Sequence, residues 1–234
     1  MRKPGAAKVR NRILMRLGSA DFKRLQRHLH LIEMPRRTSL YEPHRPFDYV
    51  YFPETGVASI LTVLQDGTET EVATAGYEGF VGLPAFFGAE TTSGRAFWQI
   101  PGKAYRLKVD AFRAETKRGG ALAEALHLYA HGFLDQLAQT VSCNRSHSIP
   151  QRAGRWLLMT QDRAGSEFEL THEFLSHMLG VRRSGVTEVM GALQKARILR
   201  YSRGVITILN RKRLEAISCE CYRTLSDEFD RLFN

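Results

Sequence analysis

The segment 170–209 constrains the fold of this chain more than any other. Its first part predicts two short helices joined by a turn, because apolar residues recur there at intervals of three and four. Thr171 can cap the first helix through its hydroxyl, and Gly180 stands where the chain must leave that helix through positive φ. A second helix is expected from about Arg182. The inward faces that this spacing predicts are Phe174, Leu175 and Met178 on the first helix, and Val186, Val189, Met190 and Leu193 on the second.

A tight hairpin is predicted directly after the second helix. The β-rich runs 198–201 and 205–209 flank Ser202-Arg203-Gly204, which puts a glycine in the turn and a cation at its tip. Two helices, a glycine turn and a hairpin are typical of a winged helix-turn-helix, which places its second helix in the DNA major groove. The helical periodicity alone is also compatible with an ordinary helical hairpin inside a larger domain.

Positive charge is concentrated in the same part of the chain. Between Pro150 and Arg213 there are 12 Lys or Arg residues against 5 Asp or Glu, within a chain of 234 residues and net charge +10. This balance favours double-stranded DNA as a partner. No apolar run approaches the roughly 20 residues that span a membrane, and the basic N-terminus lacks the apolar segment of a secretory signal. We therefore expect a cytoplasmic protein with no membrane partner.

The stretch from about residue 31 to 110 has a period of two, which predicts strands. Residues 49–52 form one short run, and Asp66-Gly67 separates two alternating runs, a strong hairpin signal. Short strands with frequent turns predict a compact β-roll or barrel. A helix capped by Ser19 is expected before it, over residues 19–30.

A long helix is predicted over residues 119–147. Its sustained apolar spacing favours pairing with a second copy of the chain, and packing on the β-roll of the same chain is the alternative. The apolar positions are Leu122, Leu126, Tyr129, Phe133, Leu137 and Val141.

Neither the histidines nor the cysteines predict a metal site. His127 and His131 have the spacing of shared ligands on one helix, but no third ligand accompanies them, so a solvated or dimer-facing pair is the better interpretation. The three cysteines, Cys143, Cys219 and Cys221, are odd in number and contain no CxxC pair. They argue against a disulfide framework and fit a reducing compartment.

The order of these parts resembles the CRP/FNR family of bacterial transcription regulators, from about residue 20 to about residue 215. The strongest local match is 171–189, and 152–158 is similar to the start of the family's DNA-binding domain. The resemblance implies an α+β fold in four parts. These are a basic flexible tail (1–18), a β-roll effector domain (19–118), a dimerisation helix (119–147) and a winged helix-turn-helix domain (148–234).

The resemblance also implies a function. We expect a sequence-specific regulator that binds a palindromic site as a homodimer through helix 119–147, with half-sites roughly 34 Å apart. RNA polymerase is a further expected partner if the protein is an activator. The residues expected to read bases are Arg183, Ser184, Thr187 and Glu188. Those expected to contact phosphates are Thr171, His172, Arg182, Arg200 and Arg203.

The effector half departs from the family pattern. Members that bind cyclic nucleotides carry a Gly-Glu pair and, about ten residues later, an Arg-Ser or Arg-Thr pair. The matching positions here are Phe80, Gly82, Arg95 and Ala96. Phe80 cannot accept a hydrogen bond from a ribose hydroxyl and Ala96 has no hydroxyl for a phosphate, so cyclic AMP is not expected to bind in the usual way. The effector is left unknown and no cofactor is predicted.

The sequence supports two other classes of protein less well than a DNA-binding regulator. A cyclic-nucleotide- or small-ligand-binding regulatory module that acts through protein contacts is the alternative to a DNA-binding regulator. An enzyme is not expected, because the chain shows no nucleophile–base pairing, and its glycine-rich stretch 76–94 lacks the spacing of a phosphate-binding loop.

Overall fold

The N-terminal half is a five-stranded antiparallel sheet that two short helices precede. A computed structural model describes residues 9–233. The strands pair in the order β1-β5-β3-β4, and β2 also pairs with β5. The elements are α1 (Arg12–Met15), α2 (Ser19–Gln26), β1 (His30–Met34), β2 (Ser39–Tyr41), β3 (Tyr49–Val63), β4 (Glu69–Ala75), α3 (Leu83–Phe86), β5 (Arg95–Lys108) and α4 (Val109–Lys117).

The C-terminal half contains the long helix, the predicted helix pair and the hairpin. A three-stranded sheet of order β6-β8-β7 lies beside the helices. The elements are α5 (Ala121–Ser146), α6 (Ile149–Ala164), β6 (Glu167–Glu169), α7 (His172–Leu179), α8 (Arg183–Lys195), β7 (Leu199–Ser202), β8 (Val205–Ile208), α9 (Arg211–Ile217) and α10 (Cys221–Phe233). No helix among residues 9–233 is both long enough and apolar enough to cross a bilayer.

The β-roll differs from its prediction chiefly in strand length. The run 49–52 and the alternating run after it form one continuous strand, β3, whose pairing with β5 shifts register between Pro53 and Ala58. Such irregularities let a long strand bend without ending. The Asp66-Gly67 hairpin is confirmed, because Gly67 has φ +84° and β3 pairs with β4 on either side of it.

Two predictions for the N-terminal region need correction. Ser19 is the first residue of α2, not its cap, and the helix ends at Gln26 because the chain becomes extended at His30. Residues 1–8 of the predicted flexible tail 1–18 lie outside the described part. Within the rest of that tail, α1 buries Ile13 and Leu14 completely or nearly so.

The apolar face predicted for pairing lies largely within the chain itself. Leu122, Leu126 and Tyr129 of α5 are buried in a core that also contains Phe229 of α10. Helix α10 was not among the predicted elements, although Tyr222, Leu225, Phe229 and Leu232 stand at helical intervals, and it packs along α5. The large apolar side chains of α5 that are exposed are Leu134 and Val141, at 62% and 71%, and of these two only Val141 belongs to the predicted face.

A buried ion pair joins the C-terminal half to the β-roll. Arg163 of α6 donates to Glu78 at 2.6 Å and to Thr74 Oγ1 at 2.6 Å. The charged partners are only 5% and 7% exposed. Gly76 makes the approach possible, since a Cβ atom there would lie 2.4 Å from Cδ of Arg163. Removing one member of such a pair leaves an uncompensated buried charge, at a cost of about 3–5 kcal/mol.

A buried carboxyl lies at the same interface. Glu71 of β4 accepts hydrogen bonds from Ser59 at 2.5 Å, from Gln99 at 3.2 Å and from Nε1 of Trp156 at 3.0 Å. Burial raises the pKa of Glu71 from 4.5 to about 7, although the hydrogen bonds from Ser59 and Trp156 act in the opposite direction. The unfolded chain therefore releases this proton at a lower pH than the folded chain does.

Glu71 should make folding stability depend on pH near neutrality. The stabilising effect of its bound proton is fully present below pH 4.5 and is lost as the pH rises through about 7. We expect Glu71→Gln to be more stable than the unsubstituted protein at pH 8, by about 1–3 kcal/mol. Denaturant unfolding between pH 5 and pH 8 measures the difference. Glu69→Gln, on the same strand but exposed, is the matched control, and parallel pH profiles for Glu71→Gln and the unsubstituted protein would contradict the assignment.

Candidate DNA interface and effector cavity

The turn between α7 and α8 is built from local signals in the sequence. Thr171 caps α7, because its hydroxyl accepts a hydrogen bond from the amide of Phe174 at 3.1 Å. Gly180 ends α7 in the left-handed conformation, with φ +61° and ψ +42°. The amide of Val181 then donates to the carbonyl of Ser176 at 3.0 Å, which closes the turn. Both sequence predictions for this turn, the Thr171 cap and the Gly180 bend, are confirmed.

Helix α8 presents a polar face to solvent. Val186, Val189, Met190 and Leu193 are buried, as their spacing predicts. Arg182 is the N-cap residue, so the helix begins one residue later than about Arg182. The exposed residues on the opposite side are Arg182, Arg183, Ser184, Thr187 and Glu188.

The hairpin carries two further exposed cations. Strands β7 and β8 are joined by Arg203 and Gly204, whose φ values of +50° and +81° fit a two-residue turn of type I′. Arg200 points outward from β7 and Arg203 occupies the tip, and both are exposed. Among residues 9–233, Arg182, Arg183, Arg200 and Arg203 make no salt bridge with an acidic side chain of the chain.

His172 connects the three elements of this surface. Its Nδ1 lies 3.1 Å from Oγ1 of Thr187 on α8, and its ring stacks on Tyr201 of β7 with the centroids 4.4 Å apart. Partial burial, and then the nearby charge of Arg183, lower the pKa of His172. A neutral His172 thus holds α7, α8 and the hairpin together, next to the cationic residues.

The nine residues predicted to contact DNA lie on these three elements. Thr171 and His172 are at the start of α7, and Arg200 and Arg203 are on the hairpin. The other five are at the N-cap and in the first two turns of α8, namely Arg182, Arg183, Ser184, Thr187 and Glu188. His172 is half-buried, while Thr171 is exposed in spite of its capping bond.

The candidate effector cavity lies between the β-roll and α5. It has a volume of about 290 Å³, and Phe80 and Gly82 are among the residues that line it. Leu134 and Leu137 of α5 form part of its wall, although the sequence analysis did not name them for this role. The lining is apolar apart from hydroxyl groups such as those of Thr62, Thr92 and Ser93. Among the described residues, no charged side chain lines it.

The structure does not bring the four effector candidates together. Arg95 lines a different cavity, beside α7, and forms ion pairs with Glu69 at 2.7 Å and Glu42 at 3.2 Å. Ala96 is fully buried inside the β-roll. Neighbouring residues of a strand point to opposite faces, so Arg95 shares its side of β5 with Phe97. Arg95 is therefore not beside Phe80 and Gly82, as a shared effector pocket would require.

Phe80 also has a structural role. Its ring stacks on Phe112 with the centroids 5.1 Å apart and lies 5.0 Å from the ring of Phe52. A side chain in this aromatic cluster presents carbon, not a hydrogen-bond acceptor, to the cavity. The position therefore offers no partner for a ribose hydroxyl.

Two family models match the chain. Residues 31–118 match a cyclic nucleotide-binding domain, and residues 151–217 match a Crp-like helix-turn-helix domain. Together these segments make up about two thirds of the chain. The chain belongs to the CRP/FNR family of transcription regulators. Its fold class is as predicted, and its family consists of DNA-binding regulators, not enzymes.

Solved structures of other regulators share the fold. FixK2 from Bradyrhizobium japonicum is 18% identical, with a TM-score of 0.68 over 82% of this chain and 98% of that one. A CRP/FNR-family regulator from Thermus thermophilus is 18% identical, with a TM-score of 0.64 over 81% and 98%. The c-di-GMP responsive regulator CLP from Xanthomonas campestris is 16% identical, with a TM-score of 0.64 over 82% and 99%. No curated protein matches the chain in sequence.

Proposed function

We propose that this protein is a sequence-specific regulator that binds a palindromic DNA site as a homodimer. The observation that carries the proposal is the surface formed by α8 and the β7–β8 hairpin. It displays four arginines that make no salt bridge within the described residues, beside exposed side chains able to hydrogen-bond to bases. A guanidinium without an intramolecular acid is available to phosphates or to guanine.

The position of each arginine suggests its role. Arg183 is in the first turn of α8, the part of a recognition helix that reaches base edges. Ser184, Thr187 and Glu188 share that exposed side, and we assign them to base reading with Arg183. Arg203 at the hairpin tip, together with Arg200, Arg182, Thr171 and His172, is assigned to phosphates, which set position and not sequence.

The apolar row along α5 supports the dimer. Ala130, Leu134, Leu137 and Val141 recur at intervals of four, three and four, the spacing of a coiled-coil seam. Leu134 and Val141 are exposed in the single chain. A second α5 would cover them and place two α8 helices symmetrically, for half-sites roughly 34 Å apart. RNA polymerase is a further partner if the protein activates transcription.

We infer that the cavity does not take cyclic AMP in the usual way. A cyclic phosphate needs a compensating cation, whereas Arg95 is held by Glu42 and Glu69 in another cavity. The apolar lining suits an uncharged effector. Leu134 and Leu137 belong both to the cavity wall and to the proposed dimer seam, so a bound ligand would act directly on the pairing of α5.

Substitutions in α8 and in the hairpin should have different effects on DNA binding. With a site selected from a random pool, Arg183→Ala should reduce discrimination at one base pair by about 1–3 kcal/mol. Arg203→Ala should weaken binding to all sequences and lower the salt slope by about one. Arg223→Ala, which removes an exposed cation from α10, is the charge-matched control. Discrimination that is unchanged at every base pair in Arg183→Ala would refute the docking, and no DNA binding at low salt would favour the module that acts through protein contacts.

If α5 pairs with a second α5 through this apolar row, one charged residue introduced into the row should weaken the dimer. Val141→Asp should place two like charges against each other in the dimer and weaken dimerisation at least tenfold, since unpaired buried charge is costly. Ser142→Asp introduces the same charge at the adjacent exposed position and should leave the dimer intact. Sedimentation equilibrium over a range of concentrations distinguishes the two variants. A monomeric unsubstituted protein, or a dimer indifferent to Val141→Asp, would exclude this seam.

Cyclic AMP should have no effect on this protein. Isothermal titration with cyclic AMP should give no saturable heat, and the affinity for the selected DNA should be the same with and without the nucleotide. Saturable binding that also raises the DNA affinity would show that Arg95 can leave its acidic partners.

A further inference from the structure

We propose that Cys143, His147, Cys219 and Cys221 form a tetrahedral binding site for a zinc ion. Cys143 lies in the last turn of α5 and His147 is the C-cap residue of that helix. Cys219 and Cys221 lie in the connection from α9 to α10 and at the first residue of α10. The fold brings these two distant segments together, and the four ligand atoms all lie within 4.8 Å of one another.

The spacing of the ligand atoms fits a zinc ion at their centre. The Sγ atoms of Cys143 and Cys219 are 3.6 Å apart, and Sγ of Cys221 lies 3.5 Å from Nδ1 of His147. Zinc bonds of about 2.3 Å to sulfur and about 2.0 Å to nitrogen give a tetrahedron with edges of about 3.5–3.8 Å. Three cysteines and one histidine are also a common ligand set of structural zinc sites.

The surroundings suit a metal site better than a cluster of neutral thiols. Nε2 of His147 lies 3.2 Å from the carboxylate of Glu220, the arrangement that orients a zinc-bound histidine. Gln139 donates a hydrogen bond to Sγ of Cys221 at 3.0 Å. Groups that orient a ligand and donate to its sulfur are the usual outer partners of a bound metal.

Two arginines supply the matching charge. Three thiolates, one neutral imidazole and Zn²⁺ carry a net charge of −1. Arg152 and Arg155 line the same cavity as Cys143, and Arg155 is only 8% exposed.

A disulfide does not account for the same geometry. A bond between Cys143 and Cys219 requires sulfur atoms about 2.05 Å apart, well below the observed 3.6 Å. All three cysteines are free thiols and all three are buried. Their burial limits the access of oxidants from solution. Their sulfur atoms nevertheless lie within 4.8 Å of one another.

The ion would clamp the end of α5 to the start of α10. Ser148, which caps α6, follows His147 directly, so the clamp sits where the chain passes from the long helix into the DNA-binding half. The sequence spacing indicated no metal site because each segment holds only two of the ligands, as C-x₃-H and C-x-C.

Metal analysis of the full-length protein tests the proposal directly. Protein purified under reducing conditions without a chelator should contain about one zinc ion per chain by mass spectrometry. Replacement of zinc by Co²⁺ should give thiolate-to-cobalt charge-transfer absorption and the visible bands of a tetrahedral ion. Absence of zinc together with absence of a tetrahedral cobalt spectrum would overturn the proposal, as would a Cys143–Cys219 disulfide in fresh protein.

Variants locate the ion at this site. Cys221→Ser should lose the metal or most of the charge-transfer intensity, and Glu220→Gln should keep the tetrahedral spectrum while binding Co²⁺ about tenfold more weakly. His131→Ala is the control, since His131 lies on the same helix beside Asp135 and Glu228 in the other cluster of potential ligands. Metal lost from His131→Ala but retained by Cys221→Ser would assign it to that cluster. If Cys221→Ser does not fold, the cobalt spectrum of the unsubstituted protein and the affinity of Glu220→Gln still decide.

Discussion

The buried pair of Arg163 and Glu78 is the constraint on which the arrangement of the two halves depends. A guanidinium buried away from water is costly unless it is paired with an acid. Arg163 is paired with Glu78, which lies just after β4 where the chain passes close to α6. Gly76 leaves the space for that approach. Once α6 is fixed in this way, Trp156 reaches Glu71, and Phe174 of α7 packs edge-on against Phe97 of β5 with the ring centroids 5.9 Å apart. Helix α7 thus lies directly on the β-roll.

This contact connects the β-roll directly to the elements that carry the proposed DNA-binding surface. In a regulator with a long helix between its domains, a signal can travel through the helix alone. Here the sheet face also shares a core with α6, α7 and α8, through residues such as Val57, Leu61 and Ile100. A shift in the position of β3 or β5 would therefore change the surface on which α7 packs, even if α5 did not move. The carboxyl of Glu71 lies at the same contact, because it accepts hydrogen bonds from Ser59 and Gln99 of the β-roll and from Trp156 of α6.

Structural features that depend on neighbouring residues could be predicted from the sequence, whereas contacts between distant segments could not. The Thr171 cap, the Gly180 bend and the hairpin after α8 depend on a few neighbouring residues, so pattern alone located them. Arg163 and Glu78 are 85 residues apart, and Cys143 and Cys219 are 76 apart, so only the fold reveals these contacts. The side on which Arg95 lies depends on strand parity, which a register shift of one residue reverses. The apolar face of α5 was identified correctly as apolar. The helical spacing of α10 was also present in the sequence, but only the fold shows that α10 covers much of that face.

The glycine at position 76 has a consequence for how such regulators can be recombined. A natural design for a chimaera would join the N-terminal half of one such protein to the C-terminal half of a relative. In this chain, a foreign C-terminal half without an arginine at position 163 and a tryptophan at position 156 would leave Glu78 buried without its cationic partner and Glu71 without its indole donor. A foreign sensor with any larger residue in place of Gly76 would collide with Arg163. A chimaera that preserves this contact therefore has to keep Gly76, Trp156 and Arg163 together, although they lie on opposite sides of the long helix in the sequence.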